Sequence, residues 1–266
     1  KLERQRPHDV PELNREVALK EIREQCADDP RHRDSFCAEA EVTGLLEHPG
    51  VVPIYSMGKG VKGRPYYAMR LITGSELRNH IKQFHETVAA GKESFVGPRM
   101  RQLLQRLIDV CNVLHYAHSR GVLHRDLKSN NVMLGRYGET LVIDWGLAKT
   151  TGSSEVEYPS TIAATESLPE SPVSVSSSKL DDTRAGTAMG TIAYAPPEQL
   201  NGRTQDIDSR SDLYSIGAML YEVLTGNPPC KGMSLTQALQ AINAESIPAA
   251  IEVQKATPRS LNAIAT

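Results

Sequence analysis

Cysteine is scarce in this chain of 266 residues, and the four present, Cys26, Cys37, Cys111 and Cys230, show no C-x-x-C spacing. That pattern argues against a disulfide framework or a zinc cluster and fits a reducing cytoplasm. Long apolar runs are missing too. None approaches the roughly 18 residues of a membrane span, although a longer parent protein with such a span stays compatible with the chain. The chain starts at Lys1 on a polar stretch without the apolar core of a signal peptide. An excess of one charge is also lacking: 30 basic residues face 32 acidic ones, for a net charge of −2. Nucleic acid is therefore not expected as the main partner. Internal repeats are absent, and residues 1–12 contain no glycine. The length suffices for one large domain or two lobes with their own cores.

What is present is concentrated in two short segments. Residues 124–131 read His-Arg-Asp-Leu-Lys-Ser-Asn-Asn, and Asp144-Trp145-Gly146 begins thirteen residues after Asn131. A surface tripeptide and an ordinary Asp-x-Gly turn account for either segment alone, but not for both at this spacing. The chemistry explains the combination. Asp126 is suited to accept a hydroxyl proton, Asn131 to hold a metal ion from the other side of the same loop, and Asp144 to hold the metal that bridges nucleotide phosphates.

The pattern along the chain is strands and one helix, then mostly helices, which predicts an α+β fold of two unlike lobes. Strands are predicted at 15–22, 51–57 and 65–71, with Val142 and Ile143 leading as a short strand into Asp144. Helices are predicted at 31–47, 75–83, 99–119, 211–225 and 234–244, with 86–98 as a loop. In the 99–119 helix the expected apolar stripe is Leu103, Leu104, Leu107, Ile108, Cys111 and Leu114. Fourteen of the 34 residues in 150–183 are Ser or Thr, with Pro159, Pro169 and Pro172 among them. Disorder is expected there, because such a stretch buries too little apolar surface to offset its ordering cost.

From about Leu13 to about Ile264 the chain resembles the Hanks-type, eukaryotic-like serine/threonine protein kinases, particularly their bacterial branch. The two segments above match the catalytic loop and the metal-binding turn of that family. Val17-Ala18-Leu19-Lys20 looks like its V-A-I-K strand, Tyr66 to Ile72 like its hinge strand, and Gly190 to Glu198 like its P+1 and A-P-E segment. The resemblance implies a bilobal kinase fold, with a small β-rich lobe over 1–72 and a larger helical lobe over 73–266. It implies ATP and Mg²⁺ or Mn²⁺ as cofactors, and Ser/Thr-bearing proteins as substrates. By the same resemblance, Lys20 contacts the α/β-phosphates and pairs with Glu39, Glu41 being the competing partner. Met69 is the gatekeeper, and the backbone of Arg70 and Ile72 bonds the adenine edge. Ala18 and Met133 sandwich the adenine ring, and Lys128 contacts the γ-phosphate. Thr191 steadies Asp126 and Lys128, and Asp212 braces the catalytic loop. His124 and Trp145 are expected to pack rather than react, and His118 to be structural rather than a metal ligand with His115.

Regulation is implied in the same way. Arg125 would pair with a phosphorylated residue of the activation segment, and Thr183 and Thr187 are the expected autophosphorylation sites, reached in trans within a homodimer. The span from Asp144 to Glu198, 54 residues, is roughly thirty longer than that family's usual segment. Three departures stand out. A glycine-rich loop is missing, with Pro7 and Pro11 where strands would run. Ser129 stands where the family has proline. The last helices are expected to be absent, leaving Glu198 without its arginine partner. The leading reading is an ATP-dependent protein serine/threonine kinase. A weakly catalytic or inactive kinase-like scaffold is the alternative, and a small-molecule kinase is a third reading.

Overall fold

The structure, a computed structural model, describes residues 6–10, 15–60, 63–146, 149–150 and 192–265. Its first layer is an antiparallel sheet of four strands in the order β1-β2-β4-β3: β1 (Arg6–Val10), β2 (Arg15–Glu21), β3 (Ile54–Lys59) and β4 (Pro65–Arg70). Pro7 lies within β1, opposite Ala18. The expectation that proline bars a strand here is therefore corrected. β1 is paired on one side only in the described sheet, and proline is tolerated in such an edge strand. A one-turn helix α1 (Glu24–Ala27) precedes α2 (Pro30–Leu45), which packs on the sheet. Asp29 caps α2 by accepting from the Arg31 amide at 2.9 Å, and Pro30 occupies the first turn, where its missing donor is not needed. Phe36, Ala40 and Thr43 form the buried face of α2 together with the carboxylate-bearing Glu39.

The second body is mainly helical. It contains α3 (Leu77–Ala89), α4 (Pro98–Ser119), α5 (Pro197–Leu200), α6 (Ser209–Thr225), α7 (Leu235–Asn243), α8 (Ala250–Val253) and α9 (Arg259–Ala265). A three-stranded antiparallel sheet, β5-β7-β8, lies beside it, formed by β5 (Gly74–Glu76), β7 (Val132–Gly135) and β8 (Thr140–Val142). The two-residue strands β6 (Val122–Leu123) and β9 (Lys149–Thr150) pair with each other. Leu107, Val110 and Leu114 of α4 meet Met219, Val223 and Leu224 of α6 in one apolar core. Each such side chain, fully buried, contributes roughly 1.5–3 kcal/mol. A separate cluster under the first sheet contains Ala18, Phe36, Val52, Tyr67 and Met69, closed below by Leu141 of β8.

Most predicted elements recur with shifted ends. Helix α3 runs on to Ala89, so the expected loop at 86–98 begins only at Ala90. The reason is that Leu77, Ile81 and Phe84 are buried and Val88 packs behind them, an apolar stripe at helical spacing. The α4 stripe is rotated from the expected one. Met100, Leu103, Leu107, Val110, Leu114 and Ala117 face the core, and Ile108 is 52% exposed. Helix α6 starts at a capping box in which Asp208 and Ser211 satisfy each other's backbone amides. It ends at Gly226 with φ 84°, a left-handed turn that glycine adopts without strain. The disorder expected over 150–183 and the residues Thr183, Thr187 and Thr191 lie outside the described residues, except for Thr150, which pairs within β9. Among the described residues no helix is long and apolar enough to cross a membrane.

Candidate active site

Three elements converge between the two bodies. Strand β2 presents Lys20, helix α2 presents Glu39, and the segment after β8 presents Asp144. Lys20 Nζ hydrogen-bonds Glu39 Oε1, with Asp144 Oδ1 3.7 Å from the same nitrogen. Glu41, the competing partner, points to solvent. The Tyr67 hydroxyl donates to Glu39 Oε1 at 2.9 Å. Burial, and then the adjacent Glu39 charge, push the Tyr67 hydroxyl far above the ordinary tyrosine range, so it stays a donor.

The 124–131 loop is held from below by one carboxylate. Asp212, 1% exposed in the first turn of α6, accepts from the His124 amide at 2.9 Å, the Arg125 amide at 2.8 Å and His118 Nε2 at 2.7 Å. Burial alone would raise its pKa. The hydrogen bond from His118, the His124 ring and the two amides outweigh burial and hold the carboxyl below the usual carboxylate range. Arg125 sits at φ 65°, in the left-handed region. Such a conformation costs on the order of 1–3 kcal/mol and persists only when over-determined. Here the Arg125 amide is fixed by Asp212, and its carbonyl accepts from Gln199 Nε2 at 3.0 Å. Lys128 Nζ donates to Asp126 Oδ2 at 2.6 Å, and Asn131 Nδ2 donates to the Asp126 carbonyl at 2.8 Å and to Oδ2 at 3.3 Å. With its amide nitrogen so used, Asn131 has its oxygen left for a cation.

Asp144 is the second non-glycine residue of the site in the left-handed region, at φ 67°. Trp145 is 1% exposed and packs on the His124 ring with centroids 4.7 Å apart. Its Nε1 donates to the Val142 carbonyl at 3.3 Å. His124 is fully buried, donates from Nε2 to the Ile143 carbonyl at 3.1 Å and accepts the Asp126 amide on Nδ1 at 3.3 Å. Both residues are core, as expected. Gly146 is a close-approach glycine, because a Cβ there would lie 3.2 Å from Glu39 Oε2. Gly146→Ala is therefore expected to push Glu39 off Lys20 and to slow any reaction that needs the pair by about tenfold, as overpacking by one methyl commonly costs ~1–3 kcal/mol. Steady-state rates at matched stability check this, and an unchanged rate would remove Glu39 from the site.

A cleft opens beside these groups, lined by Lys20, Glu39, Tyr67, Met69, Ile72 and Asp144 among others. Met69 lies opposite Ala18 in the β2–β4 register, and Met133 packs on the same apolar cluster. The Arg70 amide donates to the Pro53 carbonyl at 3.1 Å, and its guanidinium holds Glu139 at 3.0 Å. A divalent cation here would find oxygen donors in the Asp144 carboxylate, 36% exposed at its side chain, and in the side-chain oxygen of Asn131. Among the described residues no cluster of three or more His, Cys, Asp or Glu side chains is assembled. One carboxylate and one amide oxygen would fit Mg²⁺, which takes one or two carboxylates together with substrate phosphates.

Comparison with known families matches residues 11–264 to the protein kinase domain. The chain belongs to the protein kinase family. It is 36% identical over 228 residues to the serine/threonine-protein kinase PknD of Protochlamydia amoebophila, covering 85% of this chain and 22% of that protein. It is 35% identical over 215 residues to PknD of Chlamydia muridarum, covering 80% and 22%. A probable serine/threonine-protein kinase of Streptomyces coelicolor is 33% identical over 230 residues, covering 85% and 28%. The chain thus spans less than a third of the length of these curated relatives. The bilobal α+β kinase fold and the resemblance to bacterial Hanks-type kinases are borne out.

Within this kinase domain, the segment after Thr191 adds contacts that sequence reasoning missed. Ser129, fully buried, shares a 3.0 Å hydrogen bond with the Tyr194 hydroxyl, which donates to Glu222 Oε2 at 2.7 Å. Burial raises the pKa of Glu222, with the Ser129 and Tyr194 hydrogen bonds offsetting part of the rise. Ser129 therefore replaces proline with a tie between the catalytic loop and α6. Glu198, expected to lack its arginine partner, has a serine partner instead. It is half-buried and accepts a hydrogen bond from Ser211 Oγ in the first turn of α6, where the helix dipole favours a carboxylate. Gln199 and Tyr67 were also missed. Gln199 lies just outside the motifs, Tyr67 lies in the hinge-like strand with no motif role of its own, and only the tertiary fold brings them to the loop and to Glu39.

Proposed function

We propose that the chain is the catalytic domain of an ATP- and Mg²⁺-dependent protein serine/threonine kinase. The observation that carries this reading is a pair of preorganised groups, Lys128 and Asn131 on Asp126 and Glu39 and Asp144 about Lys20, tied together where the Ile143 amide donates to the Asn131 carbonyl at 2.9 Å. When bound, Mg·ATP supplies an electrophilic γ-phosphoryl group and a cation that neutralises charge on the phosphates. Asp126 takes the proton of the acceptor hydroxyl, and Lys128 holds Asp126 in place and offers charge to the transferred group. Thr191 steadies both. Lys20, oriented by Glu39, holds the α/β-phosphates, and Asp144 and Asn131 hold the metal. Ala18 and Met133 enclose the adenine, Met69 stands behind it, and the Arg70 carbonyl and the Ile72 backbone meet its polar edge. Residues 1–72 and 73–266 form the two lobes, with Leu141 and Met133 bridging them.

Arg125 supports the regulatory part of the reading. Its Nε is buried, and among the described residues nothing pairs with it. A phosphate on Thr183 or Thr187 would satisfy that donor by a charge-assisted bond and order the segment. Such phosphorylation would proceed in trans between two copies facing the ATP-rich cytoplasm.

The test is incubation with γ-labelled ATP, Mg²⁺ and casein, followed by phosphoamino-acid analysis. Phosphoserine or phosphothreonine is the expected product. Phosphotyrosine alone would overturn the hydroxyl class. No transfer from a folded chain that binds Mg·ADP would make it a kinase-like scaffold.

A further inference from the structure

We propose that Tyr67 is a positioning residue of this site: it holds Glu39 toward Lys20 and keeps helix α2 seated on the sheet. The inference rests on the kinase reading above for the role of the Lys20–Glu39 pair. Its geometric basis is separate. In the β2–β4 register Tyr67 lies directly across from Lys20. Its side chain, 3% exposed, extends beneath α2. There it makes two contacts with one face of that helix. The ring packs on Phe36, with centroids 5.1 Å apart and the planes tilted by 37°. The hydroxyl donates to Glu39 at 2.9 Å. Phe36 and Glu39 are three residues apart, so a single side chain grips one turn of the helix at two points.

The chemistry of the shared oxygen makes the contact more than packing. Glu39 Oε1 accepts from Lys20 Nζ and from the Tyr67 hydroxyl together. Lys20 Nζ also lies 5.5 Å from the centre of the Tyr67 ring, within cation–π range. A lysine and a glutamate on different elements can separate by rotating either flexible side chain. A rigid phenol that donates to the same carboxylate oxygen restricts the glutamate rotamer and bears on the lysine with its ring face. Its own two torsions are fixed by burial among Phe36, Ala40 and Met69. An aliphatic residue at position 67 would fill the space and leave Glu39 free to swing.

The test compares the wild-type chain with Tyr67→Phe, which keeps the ring and removes only the hydroxyl. Four readouts are taken: the dissociation constant for Mg·ADP by calorimetry, amide hydrogen exchange over residues 36–43 without nucleotide, phosphate transfer, and the melting temperature. The variant is expected to bind Mg·ADP about tenfold more weakly, in line with loss of a hydrogen bond to a charged group. It should also exchange the α2 amides faster and transfer more slowly, while melting within a few degrees of wild type. Because Tyr67 acts through Glu39, adding Tyr67→Phe to Glu39→Gln should cause no further loss of affinity or rate. Wild-type affinity, exchange and transfer in Tyr67→Phe would overturn the proposal. So would losses that multiply in the double variant, since they would show action independent of Glu39. If wild type itself fails to bind Mg·ADP or to transfer phosphate, the kinase reading fails instead, and the exchange rates of α2 alone decide whether Tyr67 holds the helix.

Discussion

Asp212→Ala is expected to lower the melting temperature by roughly 10 °C or more. The side chain is 1% exposed and accepts from two backbone amides and one histidine, all belonging to the catalytic loop or to the helix before it. Alanine leaves those donors buried without an acceptor and opens a polar cavity. Loss of one partner from a buried charged network costs about 3–5 kcal/mol, and each kcal/mol shifts the midpoint of a domain this size by about 2–4 °C. The strained Arg125 conformation would relax once its amide is released, so residual folded protein should also transfer phosphate poorly. The pH dependence has a definite sign. The Asp212 pKa is depressed in the folded state, so its contribution is fully present above the unfolded aspartate value of about 4 and is lost as pH falls through the folded value. The difference in melting temperature between wild type and Asp212→Ala should therefore shrink below about pH 4. Thermal melts across pH 3–7 check both statements, and a constant difference across that range would show that the carboxylate is not the source.

Asp126→Asn is expected to lower the rate of phosphate transfer by about 10³-fold, within the range lost when a positioned general base is removed. Asparagine has nearly the same shape, so contact with Lys128 and the brace from Asn131 can persist, and stability should change by less than about 1 kcal/mol. Mg·ADP affinity should be unchanged, because the Lys20, Glu39 and Asp144 side of the cleft is untouched. An inert carbonyl in place of a carboxylate isolates proton acceptance from positioning. A variant within threefold of the wild-type rate would exclude Asp126 as the base.

The parts of this site that lay in contiguous motifs were legible in the sequence. Eight residues of one loop fixed Asp126, Lys128 and Asn131, because their geometry is determined locally by a short turn and one 3₁₀ segment, Ser129–Asn131. Glu39 was legible only through its distance from His48-Pro49, and α2, with polar residues along most of its length, gives no strong apolar stripe to orient it. Tyr67 looked like a plain strand residue. Its role depends on which strand lies opposite and which helix turn lies above, and neither is encoded locally. The same holds for Gln199 and Ser129, which join the loop to segments 74 and 65 residues away. The α4 stripe was misjudged because several apolar residues lie off the core face. Leu104 packs only at its edge, and Ile108 faces outward. Pro7 misled because the cost of proline in a sheet depends on whether the strand is central or at an edge, which is a property of the assembled sheet.

The measurement that tests the central assignment most directly is single-turnover transfer from γ-labelled Mg·ATP to casein by wild type and Asp126→Asn, with Mg·ADP titrated into the same two preparations. The expected result is equal nucleotide affinity in both, label on serine or threonine with wild type, and about a thousandfold less with the variant. Equal transfer by the two proteins, or no transfer by a wild-type chain that binds Mg·ADP, would contradict it.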